Sequence, residues 1–323
     1  MTRQNLVAGA CAALVSCVVS GAASAQAYPD HVVKLVVPYA PGGAVDLVGR
    51  AVAQKLGESM GQTVVVENRP GAGGMIGAEA VARAAPDGYT VLVVDPSVVI
   101  NPSLQSTKAT YALKDLQTVS MLTASPLVLT VNAAVPVTDL ASLTSYVKAN
   151  PGKVNIASAG IGTTPHMAAE LLKARTGLAL SHVPYKGSGP AMADLIAGHV
   201  QLAFSSIAAA NTYVRDGRIR AVASSGTQRP PSFAALPTLT ESGVKDFDVL
   251  FWTGLFVPKG TPVAVVDKLN AEVRKMMANP EFVASLEKSG EVPSYTPVPE
   301  GTSYVKAEFD KWAHVIREGN LSQ

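Results

Sequence analysis

Short apolar runs rich in β-branched residues alternate with amphipathic segments along almost the whole chain, and this alternation limits the fold more than any other feature. The runs are Val32 to Val37, Thr63 to Glu67, Thr90 to Val94, Leu127 to Val131, Val154 to Ala157, Leu180 to Val183, Gln201 to Phe204 and Ile219 to Ala223. Runs so short and so continuously apolar predict buried parallel strands. Between them, Asp46 to Met60 sets Val48, Val52, Leu56 and Met60 at every fourth residue, one face of a helix. The alternation predicts an α/β, doubly wound fold.

The ends behave differently. Arg3 precedes an apolar run from Leu6 to Val19, and Ala23-Ser24-Ala25 supplies the small residues of a cleavage site, so residues 1–27 are expected to be an export signal cleaved near residues 25–27. A competing reading makes Leu14-Val15-Ser16-Cys17 a lipoprotein site with lipid on Cys17. Both cysteines, Cys11 and Cys17, fall in this segment, so the mature chain is expected to have no thiol for a disulfide, a metal or a nucleophile. No later stretch reaches the roughly 20 apolar residues of a membrane span. With 26 basic and 24 acidic residues, scattered rather than blocked, the chain calls for neither nucleic acid nor a membrane surface. The expected partner is a small molecule.

The mature length exceeds what one core usually organises, which predicts two lobes. A loose architectural repeat supports this. Lys34 to Asp46, KLVVPYAPGGAVD, runs from strand through a Pro-Gly-Gly loop into a helix; Val154 to Ala157 is followed by Ser158-Ala-Gly-Ile-Gly162 and a helix from about Thr164 to Lys173, with Pro165 in its first turn. The chain is expected to cross between lobes near Val131 and Trp252, giving a first lobe of 28–131 plus 253–323 and a second of 132–252. Helices are predicted at Pro262 to Met277, Pro280 to Ser289 and Ser303 to Arg317, the last docking through Phe309 and Trp312.

Each strand-loop-helix unit leaves backbone N–H groups unpaired at a helix start, where a carboxylate is a natural occupant. Taken alone, the PGG loop fits an ordinary turn equally well. The second loop adds two glycines and three hydroxyls, donors without a fixed charge. A third stretch, His182 to Pro190, repeats the pattern and carries Lys186, a ligand cation or simply a solvated lysine.

Other chemistries find less support. Glu67 to Gly77, with Asp95 ending the next strand, resembles a dinucleotide fingerprint, but Asn68 to Pro70 separate strand from glycine where the fingerprint turns at once. There is no G-x-S-x-G elbow and no metal-ligand spacing, and His31, His166, His182, His199 and His314 are dispersed. Folding can still bring His166 or His182 beside Ser158 or Ser188, so a serine hydrolase stays open.

Taken together, VVPYAPGGAVD, VVVENRPGAGGMIGAEAVARAAPDGYT, NPGKVNIASAGIGTTPHMAAELL, LSHVPYKGSGPAMADLIAGHVQLAF, PTLTESG and LNAEVRKMM resemble the substrate-binding receptors of tripartite tricarboxylate transporters, the Bug-type proteins, from about Tyr28 to Ile316. The resemblance implies a periplasmic binding protein of type II-like architecture, two doubly wound α/β lobes joined by a hinge, that is monomeric, uses no cofactor or metal, and is not an enzyme. It implies closure on a small carboxylate and delivery to integral membrane transporter subunits. Carried over, the ligand contacts fall on Tyr39, Ala40, Pro41, Gly42, Gly43 and Ala44 in the first lobe and on Ser158, Gly160, Gly162, Thr163, Thr164 and His166 in the second. Ser97, Ser205 and Ser206 are the expected contacts at the distal end of the ligand. Two positions depart from the family pattern, Val45 where Thr is frequent and Ser205 where Asp is frequent; the second speaks against an amino-acid ligand and for a plain mono- or dicarboxylate, aromatic ones included. A ligand-sensing subunit for a membrane histidine kinase would use the same site.

Overall fold

Val33, Leu35, Val36 and Val37 are buried, which makes β1 (Val33–Val37) a core strand from which only Lys34 faces outward. The computed structural model describes residues 28–107, 111–319 and 321, so the expected export signal and the Cys17 alternative lie outside the described residues. β1 pairs in parallel with β2 (Val64–Asn68) and β3 (Thr90–Val94). Helices α1 (Ala44–Met60) and α2 (Met75–Ala82) make the crossovers, and α3 (Ser97–Leu104) follows β3. Val48, Val52 and Leu56 of α1 are buried as their spacing requires.

β4 (Leu116–Asn132) is a single strand of 17 residues. After α4 (Leu140–Ala149), the second parallel set forms from β5 (Asn155–Ser158), β6 (Ser181–Pro184) and β7 (Leu202–Ser206), with β5 between the other two. α5 (Thr164–Thr176) and α6 (Ser188–Ala197) connect them. α7 (Ile207–Arg215), β8 (Ile219–Ser224), β9 (Leu250–Pro258), α8 (Val263–Met277), α9 (Pro280–Lys288) and α10 (Val298–Glu318) complete the chain.

The two parallel sets are joined through β4 and β9. From Leu116 to Pro126, β4 pairs antiparallel with β9; from Leu127 onward it pairs antiparallel with β7 and β8. Pro126, which has no N–H to offer a ladder, stands at the change of partner. The runs Leu127 to Val131 and Ile219 to Ala223, expected to be parallel, are therefore antiparallel. β4 enters the second set as one extended strand, so its direction is set by the first set and not by a crossover helix. Leu180 to Val183 also departs from expectation. β6 lies at the end of the sheet with β5 as its neighbour, and Ser181 and Pro184 are exposed.

The C-terminal helix begins at Val298, five residues before the predicted start, and packs on α3 and β4. Trp312 and Trp252 are fully buried, and both indole N–H groups donate to Oε2 of Glu308, at 3.3 and 3.1 Å. This satisfies polar atoms that burial would otherwise penalise and ties α10 to β9. The fold is α/β: two doubly wound parts of a curled sheet joined by long strands. Among the described residues no helix is long and apolar enough to cross a membrane.

Candidate functional site

The loops at the C-terminal ends of the parallel strands of both sets meet. A Cβ on Gly162, after β5, would stand 2.0 Å from Oδ1 of Asn101 on α3, and a Cβ on Gly73, after β2, would stand 2.8 Å from the carbonyl oxygen of Ile161. The α/β topology puts ligand sites at such strand ends.

In the first set, Ala40, Pro41, Gly42 and Gly43 form an exposed loop, with open space where Gly42 or Gly43 would carry a side chain. The loop is shaped from below. Asp46, 1 % exposed in the first turn of α1, accepts from the Gly42 amide (2.8 Å), from Nε of Arg50 (2.9 Å) and from Nδ2 of Asn68 (2.8 Å). Burial works to raise its pKa, but these donors outweigh it and hold the carboxyl below its ordinary range. The Gly42 amide is thus spent inside the protein. Gly43 is the N-cap and brings no side chain to the first turn of α1, where Ala44 begins the helix with its donors uncapped.

Beside this loop, Oη of Tyr39 donates to Oδ1 of Asp95 (2.5 Å) and lies 2.7 Å from Oγ of Ser97. Asp95 and Ser97 are buried at the start of α3, and the Ser97 amide also donates to Asp95 at 3.2 Å. Burial raises the pKa of both Asp95 and Tyr39, the neighbouring carboxyl adding to the Tyr39 shift.

In the second set the glycine loop is braced by two imidazoles. Ser158, 1 % exposed at the end of β5, takes the Gly160 amide on Oγ (3.1 Å), and the same Oγ lies 2.7 Å from Nε2 of His182. The Gly162 amide donates to Nδ1 of His166 at 3.3 Å. Thr163 turns its hydroxyl back onto the Gly160 carbonyl (2.7 Å) instead of capping α5. The His166 and His182 rings stand 4.2 Å apart, and burial pushes both pKa values down to about 4, each neighbouring positive charge adding to the effect. Both are neutral at pH 7.

The donors left over in this half are at the start of α5. Thr164 is fully buried and its Oγ1 has no hydrogen-bond partner among the described residues, an orphan polar atom on the first residue of an uncapped helix. Ser205 shares a 3.1 Å hydrogen bond with Thr130, and Ser206 caps α7 by accepting from the Ala209 amide, so both distal serines are partly committed within the fold.

His166, Glu170 and His182 bring ligand atoms within 4.8 Å of one another, the spacing of a metal site. Each of the three already has a partner within the protein. Lys173 donates to both Glu170 oxygens (2.9 and 2.8 Å), Gly162 takes Nδ1 of His166, and Ser158 meets Nε2 of His182. His166 and His182 brace the loop, and Glu170 holds Lys173 beside them.

Several residues of the site were not readable as such. Asn101 is fully buried, donates to the Gly73 carbonyl (2.8 Å) and accepts from Gln105 (2.9 Å), yet it sits in a helix with no motif of its own. Gly73 and Gly74 belong to the stretch that resembles a dinucleotide fingerprint. Their positive φ values of 63° and 94° serve close packing instead: a Cβ on Gly74 would stand 2.9 Å from Oη of Tyr39. The doubled glycine was the available signal.

The sequence matches the family described as the tripartite tricarboxylate transporter family receptor over residues 48–321. It is 35 % identical to protein BugT of Bordetella pertussis over 320 residues, 98 % of either chain. Among solved structures, the Rhodopseudomonas palustris protein Rpa4515 with adipate is similar at a TM-score of 0.85 and 32 % identity, covering 91 % of this chain and 98 % of that one. MatC from Rhodopseudomonas palustris with bound malate is similar at 0.80 and 32 %, covering 90 % of this chain and 100 % of that one. The match spans the strands, the crossing β4 and the braced loops alike, and the chain belongs to the Bug-type receptors of the tripartite tricarboxylate transporter family, which are periplasmic solute-binding proteins.

Proposed function

We propose that this protein, exported by cleavage of residues 1–27, captures a small carboxylate between a lobe of 28–131 plus 253–323 and a lobe of 132–252, and delivers it to integral membrane transporter subunits. The observation that carries the reading is Thr164: a buried hydroxyl without a partner at an uncapped helix start is a donor set waiting for an acceptor. On the facing lobe, the uncapped first turn of α1 beside the exposed PGG loop offers the matching donors. Charge-assisted bonds of this kind contribute on the order of 1.5 to 3 kcal/mol each before ordering costs, so a few of them bind a carboxylate without an arginine clamp. Only the closed form presents both sets, so ligand shifts the population toward closure. Of the mono- and dicarboxylates open to it, relatives that hold adipate and malate favour a dicarboxylate.

The Ser158–His182 pair invites a hydrolase reading, and its surroundings argue against one. An imidazole with a pKa of about 4 is a weak base, the Ser158 oxygen already accepts the Gly160 amide, and among the described residues nothing hydrogen-bonds to Nδ1 of His182 to orient it.

Calorimetry with adipate, malate and the corresponding neutral amides tests the proposal. Carboxylates are expected to bind and be recovered unchanged while the amides do not bind; binding by none of them, or equal binding by acids and amides, defeats it.

A further inference from the structure

Glu291 lies in the short segment between α9 and α10, 3 % exposed, with Oε2 lacking a hydrogen-bond partner among the described residues. That segment runs beside β4 just before its change of partner. Ala124 donates to the Val292 carbonyl (2.9 Å), the Val292 amide donates to Oγ of Ser125 (2.8 Å), and Ser294 donates to the Leu122 carbonyl (2.9 Å). On the other side, Gly290 approaches α7 so closely that a Cβ there would stand 2.7 Å from the Ala208 nitrogen. The segment therefore bridges the joint: it pairs with β4 where β4 runs beside β9, and abuts α7 of the second lobe.

Among the described residues, no cationic side chain faces Glu291. β4 and β9 contain no ionisable side chain; α7 contributes only Tyr213 and Arg215 in its last turn; Glu281, Glu287 and Lys288 of α9 are exposed; and Tyr295 is engaged with Asn270. Burial pushes the Glu291 carboxyl up to about 7, against a smaller opposing pull from the Thr123 and Ser125 hydroxyls.

We propose that closure of this protein on its ligand takes up a proton at Glu291, coupling carboxylate capture to pH. The inference rests on the two-lobe binding reading above. Parting of the lobes separates α7 from Gly290 and lets water reach the carboxyl, which then ionises as an ordinary glutamate; closing the joint returns it to a site that holds the neutral form. The closed form binds more protons than the open one, so affinity falls as pH rises from the ordinary glutamate range to about 7, and levels off above it.

Calorimetric titration of adipate and malate at pH 6 to 6.5, in buffers of different ionisation enthalpy, counts the protons. Wild type is expected to take up most of one proton per ligand and to lose about tenfold in affinity per pH unit. Glu291→Gln is expected to take up none beyond what the ligand itself releases and to show a flat profile. Zero uptake by wild type, or equal uptake and slope in both proteins, overturns the proposal, and the wild-type count alone decides should the variant not fold. If neither acid binds at any pH, the carboxylate reading has failed separately. Small-angle scattering then carries the coupling test without ligand: the wild type is expected to contract between pH 8 and 5.5 and Glu291→Gln is not, identical profiles overturning it.

Discussion

The α-carbon of Gly162 rests on the side-chain amide of Asn101, so close that a Cβ would stand 2.0 Å from Oδ1. Asn101 cannot step aside, because its nitrogen holds the Gly73 carbonyl and its oxygen holds Gln105. The loop after β5 and helix α3 thus meet at a contact that tolerates no side chain.

Gly162→Ala is expected to prop the loops apart. The φ of 79° at this position adds strain of about 1 kcal/mol, and the lost closure should weaken carboxylate binding at least tenfold. Titration calorimetry combined with scattering checks this, and Asn101→Ala in the same chain should restore part of the affinity by vacating the space. Undiminished binding in Gly162→Ala would show that the contact is not part of closure.

Thr164→Val should move stability and affinity in opposite directions. Removing an unpartnered buried hydroxyl leaves the ligand-free protein as stable or slightly more so, whereas losing a donor to the carboxylate costs about 1 to 2 kcal/mol of binding. Thermal melts with and without adipate read both quantities from one protein.

Acid is expected to destabilise the protein through the His166–His182 pair. An unfolded chain binds protons at these imidazoles below its ordinary pKa of 6.5, whereas the folded one resists until about 4. Stability should therefore decline across that window by up to about 1.4 kcal/mol per pH unit for His166, and by less for His182, whose greater exposure screens its shift. Urea titrations from pH 7 to 4.5 measure the slope, and His182→Gln should lessen it.

Asp46→Asn should loosen the PGG loop by weakening the clamp on the Gly42 amide, Arg50 and Asn68, at a cost of about 1 to 3 kcal/mol at neutral pH. Because the folded carboxyl is held below its ordinary value of 3.8, this contribution is present at higher pH and is lost as pH falls through the folded value. Wild type and variant should converge in strong acid; a gap independent of pH would mean that the charge is not what holds the loop.

The alternation of apolar runs was enough to locate the strands of both parallel sets and the helices α1, α5 and α8, although β2 and β6, read as buried, lie at the two ends of the sheet and are partly exposed. The direction of β4 was not legible, since five apolar residues read the same in either direction and its 17-residue length is hidden by interspersed Thr and Ser. Of the site, the PGG loop and the Ser158 to His166 loop stand out through glycine and proline. Asn101 and Glu291 carry no local signal, being ordinary residues whose importance comes from what folding sets beside them, and His182 stands out only as one histidine of several that folding could bring beside a serine.

Periodicity and glycine placement along the chain are enough to mark it as α/β, to set α1 and α5 behind glycine-rich loops, and to carry its resemblance to carboxylate receptors. These follow from periodicity and backbone freedom, which are local properties. Tertiary structure alone decided which donors remain available. The Gly42, Gly160 and Gly162 amides are spent on Asp46, Ser158 and His166, and the Thr164 hydroxyl is left without a partner. Whether a polar group is satisfied depends on atoms distant in sequence, and no reading of neighbours along the chain can supply them.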